Sequence, residues 1–179
     1  GTTDFPTTAG AFQTAHAGQY DAFVAKLLST GTYLLASSLY GGSGNDSAQD
    51  LAVSADGKPY LAGATTSGGL ALTPEAYQDA LHGSQDAYLA VFSANLTSLE
   101  YAPFFGGAGD DIAWSIDEEQ GTAYFAGTTG SADLPATAGA WDSTANGGTD
   151  GFVARLRPGD SRWTYASYLG GAAGEAIRS

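Results

Sequence analysis

The chain has 179 residues, 43% of them hydrophobic, with 26 Gly, no Cys, no Met and a formal net charge of −13 from 19 acidic and 6 basic residues. This length and apolar content suffice for one substantial core, and the lack of Cys excludes disulfide staples and thiolate metal sites. The acidic excess argues against nucleic acid and anionic membranes as partners, since both require Lys and Arg, and no apolar run approaches the ~18 residues of a spanning helix. Self-repulsion that keeps the chain dispersed is the plain reading of the charge, with cation binding or a basic partner as the alternatives. With neither a signal peptide nor an initiating Met, the expectation is a mature product or an excised piece.

Residues 1–20 read as a loop held by two apolar anchors, Phe5 and Phe12, with Pro6 restricting the backbone between them. The block Gly1 to Gln13 realigns with Gly130 to Asp142, and more loosely with Leu70 to Gln78. The anchor sets are therefore Phe5/Leu70/Leu134 and Phe12/Tyr77/Trp141, expected to be core plugs rather than ligand platforms.

Next comes Asp21-Ala22-Phe23-Val24-Ala25-Lys26-Leu27. It returns as Asp86-Ala87-Tyr88-Leu89-Ala90-Val91-Phe92 and as Asp150-Gly151-Phe152-Val153-Ala154-Arg155-Leu156. A fixed repeat period dictates the architecture before any other feature does. Seven residues between Gly and polar runs suit a strand. Alternation puts Phe23, Ala25 and Leu27 on one face and Ala22, Val24 and Lys26 on the other. Neither face is polar throughout, so the strand should be covered on both sides.

A second strand follows at residues 34–40, 99–105 and 163–169, each copy running into Gly-Gly. Pro103 removes a ladder donor, so this strand is expected at a sheet edge. The acidic, Gly-rich turns come next: Gly44-Asn45-Asp46, Gly109-Asp110-Asp111 and Gly174-Glu175. A hairpin then leads from Leu51-Ala52-Val53 through Asp56-Gly57 into Tyr60-Leu61-Ala62-Gly63. Its second copy leads from Ile116 through Gln120-Gly121 into Tyr124-Phe125-Ala126-Gly127. A turn ending in Gly suits a hairpin because Gly accepts positive φ.

Four short antiparallel strands per unit, repeated in tandem and buried on both faces, predict an all-β chain. It is built of β-propeller blades in about three units of 64–65 residues, placed at 1–50, 51–115 and 116–179. The chain starts at the equivalent of Gly130 and stops at the equivalent of Ser115, so the third hairpin, corresponding to residues 116–129, is lacking. Open end blades expose apolar faces and strand edges. The expectation is therefore a longer array, or copies that complete one another.

Five blocks in the same order resemble the secreted bacterial β-propeller repeats known as SBBP repeats. They are Tyr40-Gly41-Gly42-Ser43-Gly44-Asn45-Asp46; Leu51-Ala52-Val53; Gly57-Lys58-Pro59-Tyr60-Leu61-Ala62-Gly63; Asp4 through Gln13; and Asp21 through Leu27. The likeness covers essentially the whole chain and implies a propeller module on a secreted or surface protein, with no shared catalytic residues. The chain departs from it in the middle loop and at Ile116-Asp117-Glu118-Glu119, where a more exposed hairpin is expected.

Candidate chemistry is sparse. Asn45, Asp46, Asp110 and Asp111, with Glu175, are oxygen ligands in Gly-rich turns, the kind Ca²⁺ prefers, without EF-hand spacing. The competing reading is that they accept backbone N–H bonds in the turn. His16 and His82 are not equivalent in the repeat, which argues against a His-based centre. Paired carboxylates are available by number alone. The Gly-Gly runs lack the Lys of a phosphate loop. Asn45-Asp46-Ser47 and Asn95-Leu96-Thr97 have the form of glycosylation triplets.

The expected function is a non-enzymatic, extracellular or cell-surface structural or interaction module. Its expected partners are neighbouring repeats, further copies of the chain, a surface protein or a glycan. A carbohydrate-binding or carbohydrate-cleaving propeller and a Ca²⁺-stabilised adhesin are the alternatives.

Overall fold

A computed structural model describes residues 4–160, 162–175 and 177, with no helix among them. Among these residues eleven strands form three antiparallel sheets. The first pairs β1 (Ala22–Leu27) with β2 (Leu34–Tyr40). In the second, β3 (Asp46–Val53), β4 (Pro59–Thr65) and β5 (Asp86–Phe92) lie side by side. Its outer edge is made by β6 (Leu99–Tyr101) and β7 (Phe104–Phe105), both on β5. The third orders β8 (Asp111–Glu119), β9 (Thr122–Thr129), β10 (Asp150–Leu156) and β11 (Tyr165–Leu169).

The repeated stretch forms β1, β5 and β10. The strand after it takes the outer edge, as Pro103 implies. The expected strand at 99–105 is broken into β6 and β7 around Ala102-Pro103, where the Pro103 carbonyl still accepts a bond from Leu89 N (3.2 Å). The strand expected at 163–169 begins at Tyr165, with Trp163 buried just before it. The Pro-bearing loop covers each outer edge in the same way. Thr8, Thr73 and Thr137 donate backbone N–H to Ser37, Ala102 and Ala166 (3.0, 3.4 and 3.0 Å). Loop cover of this kind blunts an edge against pairing with other chains.

The hairpin strands start earlier than the apolar pattern suggested. Asp46 and Asp111 are the first residues of β3 and β8, so the acidic residues enter strands rather than occupying the turn tip. The Gln120-Gly121 turn has positive φ at both positions (51° and 80°), the type I′ geometry that matches strand twist. The hairpin expected to be more exposed, at Ile116, is in fact anchored. Ile116 is only 6% exposed, whereas its equivalent Leu51 is 47% exposed.

The sheets stack in series. One core lies between the first two sheets and gathers Val24, Ala36 and Tyr40 against Leu61, Tyr88, Ala90, Phe92 and Phe104. The other lies between the second and third and gathers Tyr60, Leu89, Val91 and Phe105 against Phe125, Phe152, Ala154 and Trp163. β5 is thus buried at every position. Full cover was expected for all three copies. It fails at β1, whose Phe23 is 55% exposed, because no sheet lies beyond it among the described residues.

Candidate functional site

The polar residues of the repeat collect where each sheet meets the next. Asp21, Asp86 and Asp150 stand at the entry to β1, β5 and β10. Each accepts a backbone N–H from four residues earlier: Ala17, His82 and Asn146 (2.9, 2.9 and 2.8 Å). Gln13 and Gln78 donate their amides to Asp21 and Asp86 (2.9 Å each) and accept from Gly41 and Gly106 N–H (3.0 and 3.1 Å). A Cβ on Gly106 would lie 2.7 Å from both the Asp86 Cγ and the Asp111 Oδ2. Only Gly lets the two carboxylates flank the chain there.

Asp46 and Asp111, two of the four candidate calcium ligands, are buried. Asp46 Oδ2 accepts from Gly42 N (2.7 Å) and Ser67 Oγ (2.9 Å), and Oδ1 accepts from Thr65 Oγ1. Asp111 Oδ2 accepts from Gly107 N (2.9 Å) and Ser131 Oγ (2.7 Å). The other two candidates, Asn45 and Asp110, are exposed on the segments that bridge consecutive sheets, Tyr20 to Asn45 and Gln85 to Asp110. Asp110 Oδ1 accepts from Ser84 Oγ (2.5 Å). The four do not converge. Among the described residues no group of three or more His, Cys, Asp or Glu is placed to hold a metal ion. Asp46 and Asp111 act as turn acceptors, which the repeated pairs Thr65/Thr129 and Ser67/Ser131 could have signalled in the sequence.

Burial pushes the Asp86 carboxyl above the usual carboxylate range, against the pull of the His82 and Gly83 N–H groups. Burial raises Asp111 likewise, opposed by its hydroxyl and backbone donors and reinforced by the Asp86 charge. His16 Nε2 lies 3.7 Å from Asp21 Oδ1, while His82 is exposed in the second unit.

The outer faces of the stack carry what the sequence did not reveal. Face by face, the residues follow the repeat. Phe23, Ala25 and Leu27 on the open side of the first sheet are the equivalents of Tyr88, Ala90 and Phe92, which pack on the sheet before them. Tyr124, Ala126 and Val153 on the open side of the third sheet are the equivalents of Tyr60, Ala62 and Leu89, which receive the sheet after them. The two ends are the two halves of one interface that the chain makes twice inside itself.

The open face of the third sheet is hollow. A concavity of about 510 Å³ is lined by Tyr124, Ala126, Val153 and Tyr165, with Asp117 and Arg155 at its rim. Trp141 stands beside it, its backbone N–H bonded to the Tyr165 hydroxyl (3.2 Å), and is 75% exposed. This corrects the expectation of a plug. Phe12, half-buried, packs on Phe92 of the following sheet (ring centroids 5.7 Å), and Tyr77, itself 45% exposed, only reaches Trp163 of the next (6.4 Å). Trp141 has no following sheet among the described residues. The chain matches no family model and no curated protein.

Proposed function

We propose that the chain is a non-enzymatic structural and interaction module made of β-propeller blades, borne on an extracellular or cell-surface protein. Its partners are neighbouring repeats or further copies of itself. One observation carries this. The sheet-to-sheet interface made twice within the chain leaves its two complementary halves on the outermost faces. Contiguous apolar faces of this kind mark interaction surfaces, and complementary halves at opposite ends generate head-to-tail, heterologous contacts. The likeness of the five sequence blocks to secreted propeller repeats supports the location.

Light scattering over a concentration series tests it. The expected masses are multiples of 18.1 kDa that fall toward the single-chain value in Tyr124→Lys or Phe23→Lys. A folded chain that stays at one copy at every concentration, with or without these changes, would overturn it.

A second reading, a carbohydrate-binding face, is favoured by Trp141 and Tyr165 beside Arg155 and Asp117, since exposed aromatic planes flanked by polar groups suit a sugar ring. Glycan-array binding lost in Trp141→Ala, with association unchanged, would select it.

A further inference from the structure

The edge of β1 differs from its counterparts. β5 is paired on one side by β4 and on the other by β6 and β7, and β10 by β9 and β11. Among the described residues β1 is paired by β2 alone. We propose that this edge is the acceptor for a β-hairpin of the same kind as residues 46–65, supplied by a further repeat unit. The inference rests on the interaction-module reading and specifies the partner.

Three features of the chain define the occupant. The first is register. β4 meets β5 with Leu61 opposite Ala90, Ala62 opposite Leu89 and Gly63 opposite Tyr88. β9 meets β10 with Phe125 opposite Ala154, Ala126 opposite Val153 and Gly127 opposite Phe152. On β1 the same register sets an apolar residue opposite Ala25, Ala opposite Val24 and Gly opposite Phe23. Gly is needed there by the hairpin itself: a Cβ on Gly63 or Gly127 would run into the Ser47 or Ile112 carbonyl oxygen of the hairpin's own first strand, and on Gly127 it would also meet the Phe152 ring.

The second is the direction of the backbone groups. Leu89 N donates outward to Pro103, so alternation in the antiparallel ladder turns the Tyr88 and Ala90 N–H groups toward β4. Their equivalents, Phe23 and Ala25, therefore present theirs to the open edge.

The third is apolar surface beside that edge. Where β3 and β4 cover β8, Ile116 is buried. Its equivalent Leu51, and Val53 at 60% exposure, overhang empty space beside β1. Two hollows mark the spot. One, of about 280 Å³, lies among Phe23, Val24, Leu51 and Leu61, and the other, of about 200 Å³, among Val24, Ala25, Val53 and Leu96. A hairpin in register would pair with β1 and lay its Tyr60-like and Ala62-like side chains over Leu51 and Leu61. Within the chain, Tyr60 and Ala62 lie in this way in the core with Ile116 and Phe125. Strand addition of this type draws affinity from main-chain bonds and specificity from alternate side-chain pockets.

The test titrates a fluorescently labelled synthetic peptide of residues 46–65 with the 179-residue chain, following anisotropy, while amide exchange is measured at Phe23 and Ala25. Saturable binding, absent with a scrambled peptide, and slowed exchange at both amides are expected. Ala25→Pro should weaken binding at least tenfold, because Pro withdraws an outward-facing N–H at little cost to an edge strand. The double change Leu51→Lys, Val53→Lys acts on exposed side chains and should weaken it similarly with an unchanged melting temperature. No saturable binding to a folded chain, or equal binding to both variants, overturns the inference. If the peptide fails while association through Tyr124 and Phe23 persists, only the hairpin acceptor falls. If both fail, the interaction-module reading falls with it.

Discussion

Tyr88 is fully buried in the middle sheet, and its hydroxyl has no hydrogen-bond partner. Burial also pushes this phenol far above its ordinary pKa, so it stays neutral. The other two copies of the repeat carry Phe at this position, Phe23 and Phe152. Leaving a buried hydroxyl unpaired costs about 1–3 kcal/mol. Tyr88→Phe should therefore stabilise the chain by about 1 kcal/mol, read as a higher denaturant midpoint with an unchanged slope. The buried carboxyls of Asp86 and Asp111 give a pH dependence. Both are raised in the folded state, so between the ordinary carboxylate pKa and the raised value the folded chain binds more protons than the unfolded chain. Stability then rises as pH falls through that window. Melting temperature should climb as pH falls from neutrality toward the ordinary carboxylate range, and climb less in Asp111→Asn. A flat or falling profile would refute this.

β1, β5 and β10 show how far a strand's own residues determine its fate. All three alternate the same way and all three form strands, which the period alone made legible. Their burial was not legible. β5 is covered on both faces, while β1 exposes Phe23 and Leu27, because cover depends on which sheet lies alongside. Aromatic residues at equivalent positions thus pack on the core at Phe12 and face solvent at Trp141. Local opening follows buried apolar contact and paired edges. Amide exchange should therefore be slowest in β5 and faster by orders of magnitude in β1, with β10 between. Equal protection in β1 and β5 would show that the open edge is occupied in solution.

Across the whole molecule, three sheets are joined by two apolar interfaces and by repeated polar junctions. The Asp46 N–H bonds to the Tyr20 carbonyl (2.7 Å), the Asp111 N–H to that of Gln85 (2.9 Å) and the Glu175 N–H to that of Thr149 (2.8 Å). The carboxylates at these junctions already accept bonds from protein donors. Adding EDTA should therefore leave the melting temperature unchanged, and a chelator-sensitive drop restored by Ca²⁺ would assign the acidic turns to calcium after all. The net charge of −13 makes copies repel, so any apolar end-to-end association should strengthen as salt screens them.

By itself the sequence determined the all-β class, the repeat period, the strand faces, the edge position marked by Pro103 and the hairpin turns. Each of these follows from short-range rules: alternation, the missing Pro donor and the positive φ that Gly accepts. Only the tertiary structure decided which faces are covered, that Asp46 and Asp111 turn inward as acceptors, and that Leu51 and Val53 lie exposed beside a β1 paired, among the described residues, by β2 alone. Those outcomes depend on which sheet stacks against which. Two stretches that are equivalent in sequence meet different neighbours, and burial belongs to the pair of surfaces rather than to either one.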